Sequence, residues 1–193
     1  MTITSEEKKT TKELIAPDFS EVLEGYPLWS EVLEDLWVGG TASNDLLGDF
    51  IAWNGRTSFI TKNEFDTVVT MYQYANPADW LVTEYRYCVY DAGIDLLDKA
   101  ELFATAKFAH DEWKRGKRVL IRCQAGLNRS GLVMALVLIR EGFSAENAIA
   151  LLRKKRHPKS LCNRDFVRFL TELDEELWRG DSYQEQLDTV EQD

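Results

Sequence analysis

One short segment near the middle of the chain combines a cysteine and an arginine at a spacing that suits phosphate chemistry. It runs from Arg122 to Gly131 and reads Arg-Cys-Gln-Ala-Gly-Leu-Asn-Arg-Ser-Gly. Backbone N–H groups at the start of a helix bind anions, and a planar guanidinium can hold two phosphate oxygens. The same positive surroundings stabilise a thiolate, the reactive form of cysteine. Cys123 and Arg129 therefore predict nucleophilic attack on a phosphate monoester inside an anion-binding loop.

The elements on either side of this segment are predicted to be a strand and a helix. The apolar run 119–121 is typical of a buried strand, and residues 130–141 are apolar almost all round, as in a covered helix. Gly126 allows the loop between them to curl, because it has no Cβ. A strand–loop–helix order directs the N–H groups of the loop to one point, at the positive end of the helix dipole. A buried, unreactive cysteine at a strand end is the alternative interpretation of Cys123.

Strands and helices alternate along the rest of the chain. Strands are predicted at 36–40, 67–71 and 85–90, and helices at 96–113, 144–156 and 163–177. Ser144 and Asn163 are predicted to cap the last two helices, and Asp98 is a further helix cap. This order predicts a single α/β domain, with a central, mostly parallel twisted sheet flanked by helices on both sides.

The 193-residue chain is predicted to consist of a flexible N-terminal arm (1–25), one globular domain (26–178) and an acidic tail (179–193). A composition of 45% hydrophobic and 29% charged residues is typical of a globular protein. The apolar run 132–139 is too short to span a membrane, and three cysteines favour a reducing compartment. We therefore expect a cytoplasmic protein without a membrane segment. The two histidines are too far apart in sequence to predict a metal site.

The net charge of −10 hides an uneven distribution. Residues 172–193 carry nine acids and one arginine, whereas residues 114–164 carry thirteen Lys and Arg and two acids, a balance of +11. The basic block predicts an anion-binding surface, with a solvated helix face as the alternative.

The segment around Cys123 resembles the phosphate-binding loop of the cysteine-dependent protein tyrosine phosphatases, and of the small dual-specificity phosphatases in particular. Leu36-Trp37-Val38-Gly39 is similar to the opening strand of that family, and residues 156–166 resemble the segment before its last helix. The resemblance covers about residues 36–175 and implies hydrolysis through a phosphocysteine, without metal or cofactor. It implies that Cys123 is the nucleophile, that Arg129 binds the phosphate, and that Ser130 helps to expel the thiolate.

The resemblance also implies a set of substrate-binding residues and a general acid. The loop residues that would surround the phosphate are Gln124, Ala125, Gly126, Leu127 and Asn128. Arg156 is a candidate for binding a second anionic group of the substrate, with a charged helix end as the alternative. The family places its acid on a loop one strand and one helix before the nucleophile. Asp91, 32 residues before Cys123, is the preferred candidate, and Asp95 is the alternative.

Two positions depart from the usual pattern of the family. Arg122 occupies the place of a histidine that orients the loop, which puts the reactivity of the cysteine in question. Asn128 before the arginine resembles the loop of the RNA 5′-triphosphatase branch. The sequence thus predicts a dual-specificity phosphatase that acts on phosphotyrosine and phosphoserine or phosphothreonine in protein substrates. An RNA 5′-triphosphatase and an inactive phospho-binding module remain as alternatives.

Overall fold

A five-stranded sheet forms the centre of the computed structural model, which describes residues 22–41 and 60–180. The strands are β1 (Trp29–Leu33), β2 (Leu36–Gly39), β3 (Thr67–Thr70), β4 (Thr83–Arg86) and β5 (Val119–Arg122). Their spatial order is β1-β2-β5-β3-β4. Only β1 and β2 pair in antiparallel fashion, and the other neighbours are parallel. The predicted α/β class and mostly parallel sheet are confirmed.

The described part of the chain contains five α-helices. They are α1 (Lys99–Lys114), α2 (Arg129–Arg140), α3 (Ala145–Lys155), α4 (Arg164–Thr171) and α5 (Glu175–Arg179), and a short 3-10 turn at Ile94–Leu96 precedes α1. All five bury residues in one apolar cluster with Val69 and Ile121 of the sheet. The opposite face packs Leu120 with Ile60 and Phe65, and in the described ranges no helix residue contributes to that second cluster.

The predicted helix caps are confirmed. The side chain of Asp98 accepts a hydrogen bond from the N–H of Glu101, and Ser144 accepts one from Asn147. Asn163 caps α4. The prediction of a single helix over 163–177 is wrong. Helix α4 ends at Thr171, and a separate helix, α5, follows it with Asp174 as its cap.

Two strand predictions also need correction. The strand predicted at 85–90 is β4, which ends at Arg86, where the regular register with β3 ends; beyond it Tyr87 and Val89 donate single backbone hydrogen bonds to Thr70 and Met71. Strand β1 was not predicted. It forms a hairpin with β2 through the two-residue turn Glu34–Asp35, in which Asp35 has a φ of +60°.

The predicted arm and tail lie almost wholly outside the described residues. Leu23, assigned to the arm, is buried and packs against Ala125 and Leu127, so packed structure begins before residue 26. Among the helices of the described ranges, none combines the length and the apolar character that crossing a bilayer requires.

Candidate active site

The loop between β5 and α2 wraps around the thiol of Cys123. The N–H of Gly126 donates a hydrogen bond to Cys123 Sγ at 3.2 Å, and the cysteine is 2% exposed. Two backbone hydrogen bonds link the loop to the end of β2, from Cys123 N to Gly39 O at 3.2 Å and from Thr41 N to Gln124 O at 2.9 Å. The prediction of a strand–loop–helix unit around the cysteine is therefore confirmed.

Gly126 is the residue that allows this curl. Its φ is +73°, a conformation that L-residues with a side chain rarely adopt. A Cβ at this position would lie 2.3 Å from the carbonyl carbon of Gly39. Both the backbone conformation and the contact with β2 thus require glycine.

Arg156 supports the same loop from within the structure. Its side chain donates hydrogen bonds to Gly126 O at 3.2 Å, to Ala125 O at 3.0 Å and to the carbonyl of Pro27. Arg156 is 2% exposed, and burial lowers its pKa to about 10, which leaves it charged at neutral pH. These contacts give it a role in shaping the loop, which differs from the predicted contact with a second substrate anion.

Ser130 lies in the first turn of α2, directly beside the thiol. Its Oγ is 3.2 Å from Cys123 Sγ, and either atom can be the donor. Both side chains are buried. A serine hydroxyl at this distance can donate to a thiolate.

Arg129 is the first residue of α2, and some of its guanidinium N–H groups already donate hydrogen bonds to acceptors in the protein. Its Nη1 donates to Val89 O at 3.1 Å, and its Nη2 donates to Gln124 Oε1 at 3.4 Å. The Nε is buried and has no hydrogen-bond partner within residues 22–41 and 60–180. An unsatisfied buried donor on a cation suits an oxyanion.

Asp91 is connected by two asparagines to the loop that follows Cys123. Asn128 Nδ2 donates to one carboxylate oxygen of Asp91 at 2.9 Å, and Asn163 Nδ2 donates to the other at 2.9 Å. The Oδ1 of Asn128 accepts the N–H of Asn163 at 3.1 Å, which links the two amides. Of the two candidate acids, it is Asp91 that the structure places beside the loop, whereas Asp95 is exposed in the 3-10 turn. Sequence reasoning identified Asn163 only as a helix cap.

Arg122, which precedes Cys123, forms an ion pair on the opposite side of the sheet from the helices. It is 1% exposed, and its guanidinium bonds Thr70 Oγ1 at 2.9 Å, Asn76 O at 2.5 Å and Glu84 Oε1 at 3.1 Å. Burial disfavours the Glu84 carboxylate, but the Thr70 hydroxyl and the charge of Arg122 outweigh it and hold the pKa of Glu84 below its usual value. The cation at this position is therefore neutralised within the protein.

Among the loop residues predicted to surround a phosphate, Ala125 and Leu127 bury their side chains against Leu23. They can serve a ligand only through their backbone. Gln124 contacts Arg129, and Asn128 contacts Asp91.

Comparison with known proteins places this site in a family. Residues 56–176 match the family described as dual specificity phosphatase, catalytic domain. Protein 123R of Invertebrate iridescent virus 6, whose name assigns it provisionally to the tyrosine phosphatases, is 26% identical over 128 residues, or 62% of this chain and 82% of the viral protein. The chain therefore belongs to the dual specificity phosphatase family.

Solved structures share the fold. Tk-PTP in its active form has a TM-score of 0.59 and 23% identity, over 77% of this chain and 97% of that one. Human DUSP28 has a TM-score of 0.55 and 21% identity, over 76% of this chain and 94% of that one.

The close contact of Gly126 with β2 predicts that Gly126→Ala strongly destabilises the fold. The matched control is Gly116→Ala, because Gly116 has a φ of +78° but nothing within 4 Å of an added Cβ. The free energy of unfolding of the control should fall by about 1–2 kcal/mol, the cost of placing a side chain in the left-handed conformation. For Gly126→Ala, the free energy of unfolding measured in urea should fall by on the order of 3–5 kcal/mol, since the added Cβ also collides with the backbone. Equal losses in the two variants would show that the contact with Gly39 is unimportant.

Proposed function

We propose that this chain hydrolyses phosphate monoesters in two steps, with Cys123 as the nucleophile and a phosphocysteine as the intermediate. The observation that carries the proposal is the set of groups around the thiol. A backbone N–H and the Ser130 hydroxyl both lie 3.2 Å from Cys123 Sγ, and Arg129 begins the helix that follows. A thiolate is stabilised by such donors and by a neighbouring guanidinium.

In the first step, the Cys123 thiolate attacks phosphorus and the ester P–O bond breaks. The loop N–H groups and the Nε of Arg129 bind the non-bridging oxygens of the phosphoryl group. The carboxyl group of Asp91 donates its proton to the departing oxygen. The position of Asp91 beside Asn128 supports this assignment, because Asn128 directly precedes Arg129 in the loop.

In the second step, water attacks the phosphorus of the phosphocysteine and the S–P bond breaks. The Asp91 carboxylate accepts a proton from this water, which restores the acid. The departing thiolate receives the hydrogen bond of Ser130, and inorganic phosphate leaves.

The proposed substrates are phosphotyrosine and phosphoserine or phosphothreonine in proteins. A serine alkoxide is a poor leaving group and needs a proton donor, and the proposed donor is Asp91, which Asn128 and Asn163 hold beside the loop. Asn128, which suggested an RNA 5′-triphosphatase, has both ends of its amide engaged with Asp91 and Asn163. A pyrophosphate leaving group needs far less protonation, so this arrangement favours the monoesters.

A nucleophilic thiol has to stay reduced. All three cysteines, Cys88, Cys123 and Cys162, are free, and we extend the proposal to a reducing compartment such as the cytoplasm.

Cys123→Ser should reduce the hydrolysis of p-nitrophenyl phosphate to background, because a serine hydroxyl in this site is far too weakly acidic to attack. Binding of inorganic phosphate, measured by calorimetry, should survive. Cys88→Ser provides the matched control and should keep the wild-type rate. Residual turnover in the purified Cys123 variant would refute the nucleophile. A wild-type protein that binds phosphate but turns over no ester would support the inactive phospho-binding module.

Asp91→Asn should have an effect that depends on the leaving group. An activated aryl phosphate departs with little help, whereas a phosphoserine peptide should be cleaved about 10²–10⁴ times more slowly. Asp95→Asn is the control. If the control shows the leaving-group-dependent loss instead, the two residues exchange roles. If neither does, hydrolysis of an RNA 5′-triphosphate should be tested next, as the function that needs no strong acid.

Asn163→Asp should separate the two contacts that Asn163 makes. Aspartate caps a helix as well as asparagine does, so the start of α4 should be kept. The new carboxylate would face Asp91 and repel it, which should slow phosphoserine hydrolysis by about 10- to 100-fold. Asn163→Ser keeps the cap, removes the donor without adding charge and should lose less. Equal losses on aryl and serine phosphates would contradict a role through Asp91.

A further inference from the structure

The segment that follows β3 places an aromatic ring against the arginine of the phosphate-binding loop. Tyr72 is 6% exposed, and Arg129 Cζ lies 5.2 Å from the centroid of its ring. This distance is within the range of a cation–π interaction, which is strongest when both groups are removed from water. Arg129 is also buried, at 8% exposure.

Among the described residues, two side-chain hydrogen bonds also hold Arg129. The bonds from its two terminal nitrogens, to Val89 O and Gln124 Oε1, are 3.1 and 3.4 Å long. The 3.4 Å bond to Gln124 is long for a hydrogen bond and holds the guanidinium loosely, and the ring near its carbon restricts its motion further. A cation–π contact consumes no hydrogen-bond donor, so the Arg129 Nε–H, which has no partner among the described residues, remains available for a phosphate oxygen.

Charged residues of the sheet fix the segment that carries Tyr72. Arg86 Nη2 donates to Ala75 O at 2.9 Å and to Tyr72 O at 3.4 Å, and Arg122 Nη2 donates to Asn76 O at 2.5 Å. Glu84 pairs with both arginines, with N–O distances of 2.8 Å to Arg86 and 3.1 Å to Arg122.

Glu84 also binds the far end of the same segment. Its Oε2 accepts the N–H of Ala78 at 3.1 Å, and its Oε1 accepts the Thr70 hydroxyl at 2.6 Å. Residues 72–78 are thus hydrogen-bonded to the sheet at both ends and in the middle. The bond in the middle comes from Arg122, the residue that precedes Cys123.

We propose that Tyr72 is a positioning residue for Arg129, and that the ion pair of Arg122 with Glu84 keeps Tyr72 in place. The proposal rests on the proposed function in one respect, that Arg129 binds the phosphoryl oxygens. Its consequence is a specific one: loss of the ring loosens Arg129 and weakens the binding of a tetrahedral oxyanion.

Calorimetric binding of tungstate to the full chain measures this effect without turnover. Tyr72→Leu should raise the Kd about 3- to 30-fold, the range expected for a buried cation–π contact. Tyr72→Phe keeps the ring and should recover most of the lost affinity. Tyr74→Leu is the matched control, since Tyr74 packs edge-on against Tyr72, is 43% exposed and should stay within about twofold of wild type. An unchanged Kd in Tyr72→Leu overturns the proposal.

The Nε–H resonance of Arg129, assigned by its loss in Arg129→Lys, provides a readout that general destabilisation does not mimic. A ring stacked on the guanidinium shifts this resonance, so Tyr72→Leu should move it, whereas Tyr74→Leu should not. Glu84→Gln should move it in the same direction as Tyr72→Leu, and an unmoved signal there overturns the part of the proposal that concerns the ion pair. A wild-type chain that shows the ring shift but binds no tungstate refutes the proposed function and leaves the contact itself established.

Discussion

The backbone after Cys123 has to turn back within a few residues so that the N–H of Gly126 points at Sγ, and this turn needs the end of β2 as a surface. Gly126 lies directly against Gly39, and a Cβ at Gly40 would lie 2.8 Å from Gln124 O. Parallel pairing sets Gly39 beside Arg122 in the register of β2 and β5. The hairpin of β1 and β2 therefore determines where the thiol lies, although neither strand supplies a reacting group.

Buried arginines support this turn, and their burial changes how the basic block at residues 114–164 is interpreted. Arg156 binds two carbonyls of the loop, while Arg122 is neutralised by Glu84 behind it. Three of the thirteen basic residues in that block, Arg122, Arg129 and Arg156, are buried and add nothing to an exposed anion-binding surface. Outside the site, Arg118 pairs with Asp66 and Lys114 with Glu141. Arg156, whose charge interacts with Cys123, also shapes the loop through its hydrogen bonds to Gly126 and Ala125.

Local signals explain what the sequence could predict. The apolar run of β5, the glycine in the loop and the caps at Asp98, Ser144 and Asn163 each act within a few residues. Asp91 was indicated by the family resemblance, with Asp95 as the alternative. Contacts between distant segments were beyond reach, because no local pattern records them. The amide of Asn163 meets Asp91 across 72 residues, and the ring of Tyr72 meets Arg129 only because β3 and β5 are neighbours. Strand β1 was missed because its five residues, Trp-Ser-Glu-Val-Leu, do not alternate cleanly.

Two neighbouring residues of the loop, Asn128 and Arg129, both contact the segment after β4 that carries Asp91. Arg129 donates to Val89 O, and Asn128 donates to the side chain of Asp91, so consecutive residues of the loop contact positions two apart on the segment after β4. Extended residues two apart are separated by roughly 7 Å, a distance that an arginine and an asparagine on adjacent positions can match. A movement of the loop therefore carries Asp91 with it. The proposed acid and the proposed phosphate-binding arginine are therefore coupled through the backbone that joins Asn128 to Arg129.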